Sequence, residues 1–92
     1  MTLEPSIRLA RSSQFVGSEV DGEMVLVSIE SGRYFGLDPI GTEIWRRLEA
    51  PKRYDVLTAE LQDFFEGEPE VIEQETANFV EQLLAANLLI TA

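Results

Sequence analysis

The chain has 92 residues, with no His and no Cys, and its 17 acidic and 7 basic side chains give a formal net charge of −10. This composition excludes disulfides, thiolate nucleophiles, Cys/His zinc sites and the usual general base near neutral pH. The negative charge repels nucleic acids and anionic lipid headgroups. We therefore expect one domain over residues 1–92, with a modest core and with no catalytic residues, cofactor or metal.

Targeting signals are absent from the sequence pattern. No apolar run approaches the roughly 20 residues of a membrane span, and residues 1–5 lack the basic start and apolar stretch of a signal peptide. We expect a cytoplasmic protein with no nucleic-acid or membrane partner. The acidity either provides a solvated face or attracts a basic partner.

Three segments in the N-terminal half have strand patterns. Residues 6–10 alternate Ile7 and Leu9 with polar neighbours. Residues 24–29 are apolar on both faces, which is typical of a central strand. A tight connection at residues 30–32 leads to a third strand at residues 33–37, and Asp21-Gly22 is a further turn signal.

The first of three predicted helices follows the third strand directly. Asp38 is a capping residue and Pro39 suits the first helical position, so the helix begins there. Ile44 and Trp45 lie on its apolar face and are interpreted as core. The helix ends near residue 48, ahead of Pro51.

Two more helices are predicted in the C-terminal half. Asp55 is the expected cap of the second helix, which ends at Gly67. The third begins at Pro69 and closes with a left-handed residue at Asn87. The order of elements predicts an α+β domain, with an N-terminal three-stranded antiparallel sheet followed by three helices.

The most specific motif lies at residues 32–45, which run Gly-Arg-Tyr-Phe-Gly-Leu-Asp-Pro-Ile-Gly-Thr-Glu-Ile-Trp. It resembles the PqqD-like family of peptide-modification chaperones, also called RiPP recognition elements. In that family a strand ending in Gly-x-Tyr-Phe-x-Leu-Asn leads into a helix that carries Ile-Trp. Asp38 stands where Asn is usual and Asn87 where Gly is usual, and both keep the capping or left-handed role. The resemblance covers residues 7–90 and implies a winged helix-turn-helix-like fold.

This resemblance implies non-catalytic binding of the leader segment of a ribosomally synthesised precursor peptide. The leader adds as a strand in the groove between the third strand and the third helix, and is delivered to a modifying enzyme or leader peptidase. The candidate peptide-binding residues on the strand are Arg33, Tyr34, Phe35 and Gly36. Those on the helix are Thr76, Val80, Leu83 and Leu84.

The strand residues also have structural interpretations. Phe35 shares a face with Leu37 and favours packing, whereas Tyr34, an aromatic with a polar tip, suits a partly wet groove. Arg33 either pairs with a carboxylate on the leader or protects an edge strand against aggregation.

On the third helix the apolar stripe is wider than a single seam. Phe79 and Leu83 favour the core, while Val80 and Leu84, one residue further round the helix, are able to line the groove. The sequence does not fix which flank of the stripe is exposed.

Within the family, the motif is more similar to the stand-alone proteins of lasso-peptide biosynthesis, whose partner is a leader peptidase of the transglutaminase type. The alternative is a PqqD-type chaperone that presents a precursor to a radical SAM enzyme in quinone-cofactor synthesis. A winged-helix transcription regulator is less favoured, because the third helix contains four Glu and no basic residue. An enzyme would need paired carboxylates, and no spacing singles out a pair.

Overall fold

The computed structural model describes residues 3–92. Met1 and Thr2, the first two residues of the segment 1–5 that is predicted to lack a signal peptide, lie outside the described residues. The elements in chain order are β1 (Arg8–Arg11), β2 (Phe15–Val20), β3 (Glu23–Ser28), β4 (Tyr34–Gly36), α1 (Pro39–Arg47), β5 (Lys52–Arg53), α2 (Tyr54–Phe64), α3 (Pro69–Ala85) and β6 (Leu89–Thr91). These elements form an α+β fold with the three predicted helices.

The described strands form two antiparallel sheets, and the prediction of one N-terminal sheet is wrong. A terminal sheet has the order β5-β1-β6, and a meander sheet has the order β2-β3-β4. The predicted first strand therefore pairs with β5 and β6, through Leu9 opposite Lys52 and Thr91. Its place in the meander sheet is taken by β2, which was not predicted.

The missed strand β2 has an unusual inner face. Its inward positions include Gly17 and Glu19, so it lacks the apolar alternation by which strands are recognised. Gly17 lies against Trp45 and Met24, and a Cβ atom there would approach Trp45 Nε1 to 2.5 Å. The Asp21-Gly22 turn joining β2 to β3 has positive φ angles of 52° and 82°, as a two-residue hairpin requires.

The start of α1 is fixed to the meander sheet as the sequence predicts. Asp38 Oδ1 accepts the Gly41 N–H at 2.8 Å, and Pro39 occupies the first turn. The buried Thr42 hydroxyl accepts the Met24 N–H at 3.1 Å and donates to the Leu37 carbonyl at 3.2 Å. The first turn of α1 is thereby bonded to the beginning of β3 and to the residue after β4.

The end of α1 is fixed to the terminal sheet. Arg11, on β1, donates from Nε and Nη2 to the Trp45 carbonyl at 2.9 and 2.6 Å, and its guanidinium lies 5.0 Å from the centre of the indole ring. A cation at a helix C-terminus is favourable because the last carbonyls carry partial negative charge. The helix therefore links the two sheets.

The second helix begins one residue earlier than the predicted cap. Arg53 is the N-cap, without a side-chain cap bond, and Asp55 lies inside the first turn. There Asp55 pairs with Arg53 at 2.8 Å and accepts the Val56 N–H, so the prediction that Asp55 caps α2 is wrong. The helix ends at Phe64, ahead of Gly67.

The third helix has the predicted ends. Pro69 is its first residue, and Asn87 has a positive φ of 62° after its C-terminus. The Asn87 N–H donates to Leu84 O and the Leu88 N–H donates to Leu83 O, which is the bond pattern of a Schellman motif. This turn directs the chain into β6 beside β1.

The hydrophobic core lies between the sheets and the helices. Ile44 and Trp45 are buried, as predicted. Fully buried side chains also come from each sheet and from the other helices, namely Leu9, Leu26, Leu57, Leu61, Val80 and Leu89.

A chain of ion pairs ties β2, α1, α2 and β5 together. The buried Glu43 contacts both Arg46 and Arg47. Arg46 also pairs with Glu19 at 2.7 Å, and Arg47 pairs with Glu60 at 3.2 Å. Lys52 donates to Glu60 at 2.8 Å, and this hydrogen bond lowers the pKa of the Glu60 carboxyl below its usual range; burial opposes the shift and Arg47 adds to it.

We expect Gly17→Ala to lower the free energy of unfolding by about 1–3 kcal/mol, because the added methyl group overpacks the contact with Trp45 and Met24. Gly36→Ala is the matched control, since a Cβ there meets no atom within 4 Å. Urea unfolding followed by Trp45 fluorescence measures both variants. Equal stability of the two would contradict the packing role of Gly17.

We expect Glu60→Gln to cost about 0.5–1 kcal/mol at pH 7, because it removes a partly buried carboxylate from two cations. Since the folded pKa of Glu60 is lowered, its contribution is complete above the unfolded value near 4.5 and is lost as pH falls through the folded pKa. The stability gap between parent and variant should therefore narrow in urea titrations below about pH 4.5.

The control for this pH series is Glu30→Gln, because Glu30 is exposed and forms no ion pair within residues 3–92. We expect it to stay within about 0.5 kcal/mol of the parent. A gap for Glu60→Gln that stays constant down to acidic pH would contradict the ionic origin of the effect.

Candidate functional site: the open edge of the meander sheet

The strand β4 pairs on one side only. It lies at an end of the meander sheet, with Phe35 opposite Leu26, Gly36 opposite Val25 and Tyr34 opposite Val27. No strand among residues 3–92 pairs with its other side. The predicted third strand is therefore an open edge.

The hydrogen-bond register shows which backbone groups face that edge. Ser28 N–H donates to Arg33 O at 2.7 Å, and Leu37 N–H donates to Met24 O at 2.8 Å. Bonded and non-bonded pairs alternate along an antiparallel ladder, so Phe35 opposite Leu26 is the bonded pair between these two. The N–H and C=O groups of Tyr34 and Gly36 consequently point away from β3, towards the open edge.

The side chains of this strand divide between the two faces of the sheet. Phe35 is half-buried on the inner face, and its ring contacts that of Phe15 edge-on at 6.0 Å between centroids. Arg33 shares this face, with its guanidinium 5.9 Å from the Phe35 ring centre. Tyr34 is 75% exposed and lies on the outer face with Val27. The strand therefore presents Arg33 and Phe35 to one face and Tyr34 to the other.

The structure separates the four candidate residues of α3. Thr76, Val80 and Leu83 are buried, and the Thr76 hydroxyl donates to Ile72 O at 2.7 Å. Leu84 is half-buried and packs at the margin of the core. Leu84 thus keeps exposed surface, whereas the other three side chains are covered by the fold.

Of the two neighbouring apolar residues, Phe79 packs against the core, as predicted, and is half-buried, whereas Val80, expected at the groove, is fully buried. With 3.6 residues per turn, Ile72, Thr76, Val80 and Leu83 form one buried stripe. Phe79 and Leu84 lie on opposite flanks of it, and both are half-buried. The sequence pattern does not show which residues form the centre of this stripe, because Phe79 and Leu84 on its flanks are as apolar as the residues at its centre.

A surface concavity on α2 and α3 is lined by none of the candidate residues. It has a volume of about 180 Å³ and is lined by Tyr54, Asp55, Thr58 and Glu73, among others. This volume is below the roughly 300–1,000 Å³ of typical small-molecule sites. We therefore assign the candidate site to the open edge of β4.

The described residues offer neither a metal-binding cluster nor a membrane-spanning helix. Residues 3–92 contain no group of three or more acidic side chains placed to hold a metal ion. None of the helices described is long and apolar enough to cross a membrane.

An open strand edge such as that of β4 is a place where an extended peptide can add to a sheet. The family model described as Coenzyme PQQ synthesis protein D (PqqD) matches residues 23–89, which is more than half of the chain. The chain belongs to the PqqD family, and the predicted membership is confirmed.

Two solved structures are similar to this chain. One is TbiB1 in complex with the TbiA(beta) leader peptide; it is 30% identical, with 87% of this chain and 93% of that chain covered and a TM-score of 0.76. The other is lasso peptide synthetase B1 complexed with the leader peptide, which is 22% identical, with coverages of 89% and 96% and a TM-score of 0.70. The second likeness shows the fold alone. No curated protein sequence matches the chain.

We expect two adjacent proline substitutions to have opposite effects on stability. Tyr34→Pro removes an N–H that faces the open edge, so the domain should keep its circular dichroism spectrum and unfold within about 1 kcal/mol of the parent. Phe35→Pro removes the N–H that bonds to Leu26 and leaves a buried carbonyl unpaired, which costs about 1–3 kcal/mol. Urea unfolding of the pair measures the difference, and the reverse order of stability would show that the register is wrong.

Proposed function

We propose that this chain binds the leader segment of a ribosomally synthesised precursor peptide and does not itself catalyse a reaction. The leader adds as a further strand to the open edge of β4. The observation that carries the proposal is the outward direction of the Tyr34 and Gly36 backbone groups, in a chain whose 30%-identical relative was solved with a leader peptide. Main-chain bonds supply affinity, and side-chain contacts supply specificity.

The local chemistry of the edge supports strand addition. Gly36 has no side chain, and nothing lies within 4 Å of where a Cβ would be, so a second backbone can approach closely. Phe35 offers apolar surface on the inner face. We propose Arg33, Tyr34, Phe35 and Gly36 as the strand half of the site.

The helical half of the proposed site uses the margin of α3 rather than its centre. Among the four predicted residues of α3, Leu84 is the one with an exposed side-chain surface, and a side chain of the leader contacts it there. Thr76, Val80 and Leu83 act from beneath, because their packing fixes the position of the helix.

The partner enzyme that we favour is a leader peptidase of the transglutaminase type, as in lasso-peptide maturation. Support comes from the 30%-identical TbiB1, which was solved in complex with the TbiA(beta) leader peptide. A second candidate is presentation of a precursor to a radical SAM enzyme in quinone-cofactor synthesis, and the name of the matching family model favours it. Either pathway operates where precursor peptides are translated, so we propose a cytoplasmic location.

We further propose a winged helix-turn-helix-like arrangement of the helices, without a DNA-binding function. In such a role α3 would face phosphates, yet it carries Glu70, Glu73, Glu75 and Glu81 and no basic residue. An acidic helix loses the counterion release that drives non-specific DNA binding.

A short precursor gene next to the gene of this chain, where one is found, supplies the leader peptide for a binding test. In fluorescence-polarisation titrations we expect saturable binding to the parent and at least tenfold weaker binding to Tyr34→Pro, which is about 1.4 kcal/mol. Tyr34→Ala is the matched control, because it removes the phenol and keeps the N–H. Equal binding by the folded proline variant would show that the edge of β4 is not the site.

The non-catalytic part of the proposal has its own measurement. The full precursor, incubated with the chain alone, should keep its mass in mass spectrometry, and should change mass only after the partner enzyme is added. A mass change with the purified chain alone, at equal rate across independent preparations, would contradict this part.

A further inference from the structure

Five of the seven basic side chains of this protein are bonded within the fold. Four of the seven form ion pairs, namely Arg46, Arg47, Lys52 and Arg53, and Arg11 donates to the Trp45 carbonyl. Within residues 3–92, the side chains of Arg8 and Arg33 have neither an ion pair nor a hydrogen bond. Of these two, Arg33 adjoins the candidate site.

The position of Arg33 is defined by the register of β4. It follows the turn at residues 30–32 and is the residue before Tyr34, opposite Ser28, whose N–H donates to its carbonyl. Its side chain is exposed on the same face as Phe35, with the guanidinium over that ring. A strand added to the open edge would place its own inner-face side chains beside these two.

We propose that the bound peptide carries an Asp or Glu opposite Arg33, two residues away from an apolar side chain opposite Phe35. This inference rests on the proposed function and names the chemistry of one of its subsites. Side chains on one face of a strand recur every two residues. Two side chains of opposite charge attract each other when they lie directly across from one another on neighbouring strands. The guanidinium presents a planar fork of donors that matches a carboxylate.

The net charge of the chain restricts where a bound peptide can carry acidic residues. With a net charge of −10, the protein repels acidic groups at other positions of a bound peptide. The preference for a carboxylate is therefore confined to a single position, and the rest of the peptide is neutral or basic. In antiparallel addition the acid follows the apolar residue in sequence, and in parallel addition it precedes it.

Selection from a phage-displayed library of randomised dodecapeptides tests the subsite without knowledge of the natural leader. The parent chain is the bait, and binders that also bind Tyr34→Pro are removed, so that only edge binders remain. We expect Asp or Glu enriched at one position, two residues from an apolar position. Selection on Arg33→Glu should replace the acid with Lys or Arg at that position. Arg8→Glu, which alters the other unbonded arginine, should leave the preference unchanged.

A selected peptide then gives a quantitative check. Changing its acid to the amide should weaken binding to the parent at least threefold and leave binding to Arg33→Gln unchanged. Edge binders with no acidic position, or an acidic preference that Arg33→Glu does not move, would overturn the subsite while leaving strand addition intact. A library with no binders sensitive to Tyr34→Pro would overturn the proposed function itself, and the subsite with it.

Discussion

The Thr42 hydroxyl holds the site in place, because it joins three elements in one buried contact. It accepts from the backbone of Met24 at the start of β3 and donates to the carbonyl of Leu37 just after β4. Loss of that hydroxyl would leave two buried backbone groups without partners, which costs about 1–3 kcal/mol for each. One side of β4 is hydrogen-bonded to β3, and no described strand pairs with its other side. The bonds of Thr42 thus stabilise the core and also hold the start of β3 and the end of β4, the strand at the edge of the sheet, in place.

The helix α1 also explains how two small sheets act as one domain. At its first turn Thr42 bonds the meander sheet, and at its last turn the Trp45 carbonyl accepts from Arg11 of the terminal sheet. The indole ring of Trp45 packs against Gly17 of the meander sheet and lies next to the Arg11 guanidinium of the terminal sheet, so this one side chain contacts both sheets. Peptide recognition by strand addition requires a rigid template, since the peptide loses conformational freedom on binding and a mobile template would add to that loss. The bonding of α1 supplies this rigidity.

Residues 32–45 were informative in sequence because each local preference there agrees with the tertiary structure. Asp38 caps, Pro39 begins the helix, and Ile44 and Trp45 are core. The strand β2 could not be predicted because its inner face depends on the side chain of Trp45, which is distant in sequence from Gly17. The pairing of β1 with β6 was missed for a related reason, since a short strand pattern does not identify its partners.

Within the site, the sequence located the edge strand but not the direction of its backbone groups. Alternation gives two faces without giving their register, and the register follows from the bonds at Ser28 and Leu37. On α3 the stripe is apolar across Phe79, Val80, Leu83 and Leu84, so periodicity alone could not distinguish its centre from its flanks. Packing against the other helices decides that question.

The open edge has a consequence for the behaviour of the protein in concentrated solution. An unpaired strand accepts another copy of the same chain as readily as a peptide, and Val16, Val27 and Tyr34 form an exposed apolar row on the adjoining face. The three residues of β4 carry no charge, so no charged side chain within the strand opposes stacking. Repulsion between copies, each with a net charge of −10, supplies the barrier. Salt shortens the range of that repulsion to about 8 Å at physiological ionic strength, so the colloidal stability of the free protein depends on ionic strength. A bound peptide would cover the edge and thereby replace this electrostatic protection.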